Sequence, residues 1–167
     1  MVQVLTSRAA GPADLAALAR IYNQGIEERG ATFETAPRTA EDLRAWLARP
    51  GPVIVVERGG EVVAFASAAP YSPRACYAGV AELSIYVDRA ARGQGAGRQA
   101  GAAILAALEA AGYWKALGKV FPENRASLAL LRALGFDEVG RHRRHARLDG
   151  AWRDVVLVEK LLGEAAR

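Results

Sequence analysis

Arg92-Gly93-Gln94-Gly95-Ala96-Gly97-Arg98 separates two unlike segments of the chain. Before it, Ala81-Glu82-Leu83-Ser84-Ile85-Tyr86-Val87 is rich in apolar and β-branched residues and reads as a strand. After it, Ala96–Ala111 is an Ala/Leu run that reads as a long helix closed by Gly112. A glycine-rich turn from strand to helix leaves bare backbone N–H groups at a helix N-terminus. With the positive end of the helix dipole, they form a site for a phosphate or pyrophosphate. Glycine lets the backbone approach such an anion closely and adopt a positive φ. Arg92 and Arg98 add charge suited to the same anion. The glycines also suit an ordinary turn, so the motif alone leaves both readings open.

Two nucleotide motifs are excluded. A Walker loop ends in Gly-Lys-Ser/Thr, which is absent. A dinucleotide fingerprint needs Gly-x-Gly-x-x-Gly after a first strand, whereas Gly93-x-Gly95 is followed by Arg98 and lies past mid-chain.

Outward from this turn the chain alternates strand and helix patterns. Val2–Leu5 reads as a short first strand, and Asp14 opens a helix through Leu15, Leu18, Ile21, Tyr22 and Ile26. Thr39 and Asp42 resemble a capping box for a second helix, stopped by Pro50-Gly51-Pro52. Val53–Glu57 and Val62–Ala69 flank Gly59-Gly60 as a hairpin, and Pro70–Gly79 is a loop. Lys115–Phe121 reads as a strand and Asn124–Leu134 as a helix stopped by Gly135. Phe136–Ala146 and Val155–Lys160 read as two last strands joined by the Asp149-Gly150 turn. The order is that of an α+β or mixed α/β fold with helices packed on a central sheet.

Several of these segments resemble the GCN5-related N-acetyltransferase (GNAT) superfamily. Arg92-x-x-Gly95-x-Gly97 is similar to its Gln/Arg-x-x-Gly-x-Gly/Ala loop, whose amides hold the pyrophosphate of acetyl-CoA. Asn124, opening a helix that ends in Gly135-Phe136, resembles its second signature. Ile21-Tyr22-Asn23, Phe33-Glu34-Thr35 and Gly150–Val155 resemble the branch acting on phosphinothricin, methionine sulfoximine and arsinothricin. The resemblance spans about Ser7 to Leu162. It implies one domain over residues 1–167, with a mostly antiparallel twisted sheet of about six to seven strands and about four helices. It also implies an acetyl-CoA-dependent N-acetyltransferase, commonly homodimeric, that acetylates the α-amino group of a small glutamate analogue and confers resistance to it; the alternatives are another small amine or a protein N-terminus as acceptor, or a non-catalytic acyl-CoA-binding sensor.

What that chemistry needs is a base for the amine, a polarised carbonyl and a departing thiolate. Glu82 sits in an otherwise apolar strand, where a carboxylate is costly unless paired or hydrated, and the resemblance assigns it the role of that base. A salt-bridged glutamate is the alternative. The resemblance assigns the backbone at Ile85, Tyr86 and Val87 to the pantetheine arm. It assigns the loop from Arg92 through Gly93, Gln94, Gly95, Ala96 and Gly97 to Arg98 to the pyrophosphate. Asn124 and Ser127 would line the same cofactor, though Asn124 also suits a plain helix cap. Many family members carry a tyrosine acid where Leu131 stands, so that acid is absent here. Arg74 in its loop could grip an anion bidentately, flanked by Tyr71 and Tyr77, or stand exposed. Phe33 is expected as an apolar wall of the acceptor pocket, or as core.

Composition bounds the rest. The 167 residues carry a net charge of +4, which suits CoA phosphates or a carboxylate substrate. The run Arg141–Arg147 lacks aromatic residues and reads as a solvated strand face or a pocket edge rather than a nucleic-acid arm. His142 and His145, three apart on a strand, are expected on opposite faces, and no metal site is expected. Cys76 is the one cysteine and cannot form an internal disulfide, in keeping with a reducing cytoplasm. No apolar run is long enough to span a membrane, and no leader pattern opens the chain.

Overall fold

The computed structural model describes residues 3–167. Seven strands form one sheet: β1 (Leu5–Ala9), β2 (Val53–Arg58), β3 (Glu61–Pro70), β4 (Val80–Val87), β5 (Lys115–Val120), β6 (Asp137–Leu148) and β7 (Ala151–Leu161). Their spatial order is β1-β2-β3-β4-β5-β7-β6, antiparallel throughout except between β4 and β5. Four α-helices cover it: α1 (Leu15–Glu28), α2 (Ala40–Ala48), α3 (Ala96–Ala110) and α4 (Arg125–Ala133). The expected mixed α/β architecture is the one observed.

The strands alternate their side chains between two cores. Val53, Val55 and Phe65 pack with Leu18, Ile21, Ile26 and Leu43 of α1 and α2. Ile54, Val56, Ala81 and Leu83 pack with Ala100, Ile104 and Leu108 of α3 and Leu131 of α4. This period of two, read against helical periods on either side, makes the layered fold. Two-sided burial explains why β2 and β3 read as almost continuous apolar runs.

The ends of the sheet depart from expectation. The expected strand Val2–Leu5 begins at Val2, which lies outside the described residues; the strand observed runs Leu5–Ala9. Its polar residues are exposed, and Arg8 ties this edge to Asp14 at 2.8 Å and to Glu57 at 2.5 Å. The backbone ladder to β2, from Leu5 opposite Arg58 to Ala9 opposite Ile54, holds that edge, and the Arg8 ion pairs add to it. The last hairpin is longer than expected, with Trp152, Arg153 and Asp154 inside β7. Its turn residues Asp149 and Gly150 both have positive φ, 49° and 81°, as a two-residue hairpin of this hand requires.

β6 also bulges. His142 pairs with Val155, yet Ala146 pairs with Arg153, so β6 carries extra residues opposite Asp154. Arg144 takes φ 47° there and donates its N–H to Asp154 at 2.8 Å. The bulge overturns the expectation that His142 and His145 lie on opposite faces: their rings stack 4.4 Å apart. Among the described residues no helix is long and apolar enough to cross a membrane, and no group of three potential metal ligands occurs.

Candidate functional site

The parallel pairing of β4 with β5 covers only Val80–Glu82 against Lys115–Leu117. Beyond Glu82, β4 stays with β3 while β5 stays with β7, so the sheet splays. From Leu83 to Val87, β4 has no β5 partner along that edge. Glu82 sits at the apex of the opening.

A groove runs through the splay, with a cavity on each side. The first, of about 470 Å³, is lined by Leu83–Val87, Asn124, Ser127 and Leu131. The second, of about 580 Å³, is lined by Glu82, Lys119, Phe33, Trp46, Arg49 and His145. Ser84, Tyr86, Lys119 and Phe121 border both, so the cavities meet at the splay.

Glu82 is half-buried, and its carboxylate lies 3.2 Å from Lys119 Nζ. The salt-bridge alternative is therefore realised, in a carboxylate that also faces the second cavity. The Tyr86 ring stacks on Phe65 at 5.4 Å and meets Tyr22 edge-on at 5.1 Å. Burial pushes its hydroxyl pKa well above the ordinary tyrosine value. Ile85 and Val87 turn their side chains to the α3 core.

The glycine turn sits where expected. Gly93 and Gly95 have φ of 71° and 89°, which L side chains adopt only with strain. Gly95 is the N-cap of α3, and no side chain caps the helix. No carboxylate lies in its first turn; Arg98 does, exposed and without an ion partner among the described residues. The N–H groups of Ala96, Gly97 and Arg98 therefore have neither side-chain cap nor neutralising charge. A Cβ on Gly97 would stand 3.1 Å from Leu130 and Val87, so glycine there permits close helix packing. Arg92 is paired with Glu28 at 2.9 Å, and Gln94 accepts a hydrogen bond from Arg58. The uncapped α3 turn, the exposed Arg98 and the open β4 edge fit an extended ligand with an anionic segment.

Asn124 is engaged at both ends of its amide. Its Oδ1 accepts the Ser127 N–H at 3.1 Å, capping α4, and its Nδ2 donates to the Gly30 carbonyl at 3.1 Å. Leu131 is buried against the groove and supplies no acid. Phe33 lines the second cavity, edge-on to Phe121 at 4.9 Å.

Tyr71, Arg74 and Tyr77 are not brought to these cavities. The two tyrosines meet edge-on at 5.6 Å, half-exposed, and Arg74 lies 5.6 Å above the Tyr77 ring. These three side chains contact one another and line neither cavity. Trp152 is likewise half-exposed, beneath Arg147 at 4.3 Å.

The sequence did not mark Lys119, Arg49 or Trp46 as site residues, and it reached His145 only through the reading of Arg141–Arg147 as a strand face or pocket edge. A lysine in Lys115–Phe121, the other apolar strand meeting at Glu82, was the available signal for Lys119. Arg49 reads as an ordinary cation at a helix end, and the bulge that aims His145 has no local mark.

The profile of the acetyltransferase (GNAT) family matches residues 18–136. The chain belongs to this family. It is 33% identical over 156 residues to a phosphinothricin N-acetyltransferase of Streptomyces coelicolor, covering 89% of this chain and 91% of that protein. Among solved structures it resembles a ribosomal-protein-alanine N-acetyltransferase from Brucella melitensis, with TM-score 0.90 and 34% identity over 94% of this chain and 99% of that one. It also resembles a GNAT phosphinothricin acetyltransferase from Sinorhizobium meliloti in complex with AcCoA, with TM-score 0.89 and 28% identity over 96% of this chain and 89% of that one. The chain is thus a GNAT N-acetyltransferase, and its seven-stranded sheet with four helices is that family's fold.

Proposed function

We propose that the splayed groove transfers an acetyl group from acetyl-CoA to the α-amino group of a small glutamate analogue of the phosphinothricin, methionine sulfoximine or arsinothricin type. One observation carries this reading: Glu82 stands at the apex of the splay, where a cavity reaching the open β4 edge meets a second cavity walled by Phe33. The Streptomyces and Sinorhizobium likenesses support the substrate class.

Acetyl-CoA supplies an activated acetyl thioester. The α3 amides from Ala96 to Arg98 would receive its pyrophosphate, with Gly93 and Gly95 shaping the turn and Arg98 adding charge. The β4 backbone at Ile85, Tyr86 and Val87 would hold the pantetheine arm as an added strand. Asn124 and Ser127 line that arm's side. The acceptor nitrogen attacks the carbonyl carbon, the C–N bond forms, and the C–S bond breaks. Glu82 takes the amine proton, directly or through a water. Lys119, when protonated, cannot accept it; its role is to hold the Glu82 carboxylate in place. With Leu131 at the family's tyrosine position, the thiolate leaves without a protein acid from that position.

We further propose a cytoplasmic homodimer that confers resistance to the acceptor. The free edge of β6 and the exposed Val139 upon it are suited to a second copy. A protein N-terminus is the second acceptor reading, favoured by the likeness to the Brucella structure.

Thiol release from acetyl-CoA tests the reading, with phosphinothricin, methionine sulfoximine, arsinothricin, glutamate and an alanine-initiated peptide as acceptors. Release with a glutamate analogue is expected, and Glu82→Gln should lower kcat about 10²–10⁴-fold. Release with the peptide alone would transfer the assignment to the second reading. An undiminished Glu82→Gln enzyme would remove the base.

A further inference from the structure

We propose that Arg49 is the oxyanion-recognition group of the acceptor cavity, taking a carboxylate or phosphinate of the acceptor while Glu82 faces its amine. This deepens the preceding reading and rests on its assignment of the second cavity to the acceptor.

Arg49 follows α2 directly and is held there by its own N–H, which donates to the Ala45 carbonyl at 3.1 Å. Pro50-Gly51-Pro52 then turns the chain into β2. The guanidinium lies 5.3 Å above the Trp46 ring, which is itself wedged edge-on against Tyr22 at 5.2 Å. An aromatic platform of this kind fixes the plane of the donor fork.

Its partners are missing where the other cations lining the two cavities have theirs. Of the Lys and Arg residues lining this cavity among the described residues, Lys119 is neutralised by Glu82, and Arg49 has no carboxylate within salt-bridge distance. Around the groove Arg38 is paired with Glu34 at 2.8 Å, Arg92 with Glu28 at 2.9 Å and Arg153 with Glu123 at 3.7 Å. Arg49 Nε is fully buried and has no hydrogen-bond partner at all. Burial also pushes the guanidinium pKa below its ordinary value, the mark of a cation short of compensation. A guanidinium with one donor already unsatisfied and no carboxylate beside it is short of compensation, and an oxyanion in the cavity supplies that charge at its remaining N–H groups. Arginine presents a planar fork matched to two oxygens of one carboxylate or phosphinate. A cation at one place in the cavity and a carboxylate at another together select a ligand bearing both an oxyanion and an amine.

The test is calorimetric titration of wild type, Arg49→Gln and Arg49→Lys, with CoA present so that no transfer occurs. The probes are phosphinothricin, methionine sulfone, and methionine sulfone amide, whose carboxylate is capped. Arg49→Gln should weaken phosphinothricin about 10–100-fold and leave the amide unchanged. Arg49→Lys keeps the charge without the fork and should fall between, at a wild-type melting temperature. Equal weakening of methionine sulfone assigns the α-carboxylate to Arg49; an effect on phosphinothricin alone assigns the phosphinate. The same affinity change for all three probes, no change for any, or no binding of any to wild type overturns the proposal. Arg49-dependent binding without thiol release would leave this inference standing and defeat the acetyl-transfer reading. Normal release with Arg49-independent binding would do the reverse.

Discussion

α2 and α3 begin in opposite ways. At α2, Thr39 Oγ accepts the Asp42 N–H at 3.2 Å, and Asp42 accepts the Thr39 N–H at 2.7 Å. Glu41 and Asp42 place negative charge where the dipole is positive. At α3 there is no side-chain cap, no acidic residue in the first turn, an exposed Arg98 and a left-handed Gly95. The first start is complete within the chain. The second is left unfinished, its donors and its charge without partners among the described residues. A helix start that forgoes its own stabilisation is informative because capping is worth about 1 kcal/mol and is easily encoded.

The largest test of this contrast is Gly95→Val. A β-branched residue at φ 89° is strained, so the turn must move. Affinity for acetyl-CoA should fall at least about 100-fold, with a melting loss of only about 1–2 kcal/mol. Unchanged affinity by calorimetry would erase the distinction between the two starts.

Arg98→Glu should separate binding from stability. The KM for acetyl-CoA should rise about tenfold and lose part of its salt dependence, because a favourable charge is replaced by a repulsive one. The melting temperature should hold or rise slightly, since a carboxylate suits a helix N-terminus by about 0.3–1 kcal/mol. A drop in both would mean that Arg98 is structural.

The start of α1 supplies a third, pH-dependent case. The Arg8 guanidinium, with the Gly11 N–H at 2.8 Å, holds the Asp14 carboxyl below its ordinary value of 3.8 despite partial burial. A carboxyl depressed in the folded state contributes stability above its unfolded pKa and loses it as pH falls through the lower folded value. Wild type should therefore lose stability as pH falls from about 4. Asp14→Asn should lower the melting temperature at pH 7 by a few degrees, for about 1–2 kcal/mol, and flatten that acid limb. An acid limb unchanged in the variant would assign it to other carboxylates.

Thr39→Ala is the smallest and the cleanest control. It should cost about 1 kcal/mol, or roughly 2–4 °C in melting temperature, and leave the KM for acetyl-CoA unchanged.

How far the sequence could be read varies with the range of the physics involved. The Thr39 cap, the Gly59-Gly60 and Asp149-Gly150 turns and the Gly93–Gly97 loop were legible because each is settled within a few residues. The first strand was misplaced because Leu5–Ala9 is an exposed edge held by its ladder with β2 and by the Arg8 ion pairs, neither of which leaves an apolar pattern. The bulge at Arg144 was hidden because Asp154, on the neighbouring strand, creates it. Arg74 was an attractive anion ligand in sequence, but its loop stacks on itself outside the cavities.

By itself, then, the sequence determined the alternating elements, the two-faced sheet and the bare N-terminus of α3, since backbone freedom, periodicity and capping are local properties of the chain. Tertiary structure alone decided that β4 and β5 part after Glu82 and that Lys119 faces Glu82 across the parting. It also decided that Arg49, remote in sequence, reaches the same cavity without a partner. Those facts depend on which strands keep their neighbours and which charges are already satisfied, and both are settled only when distant segments meet.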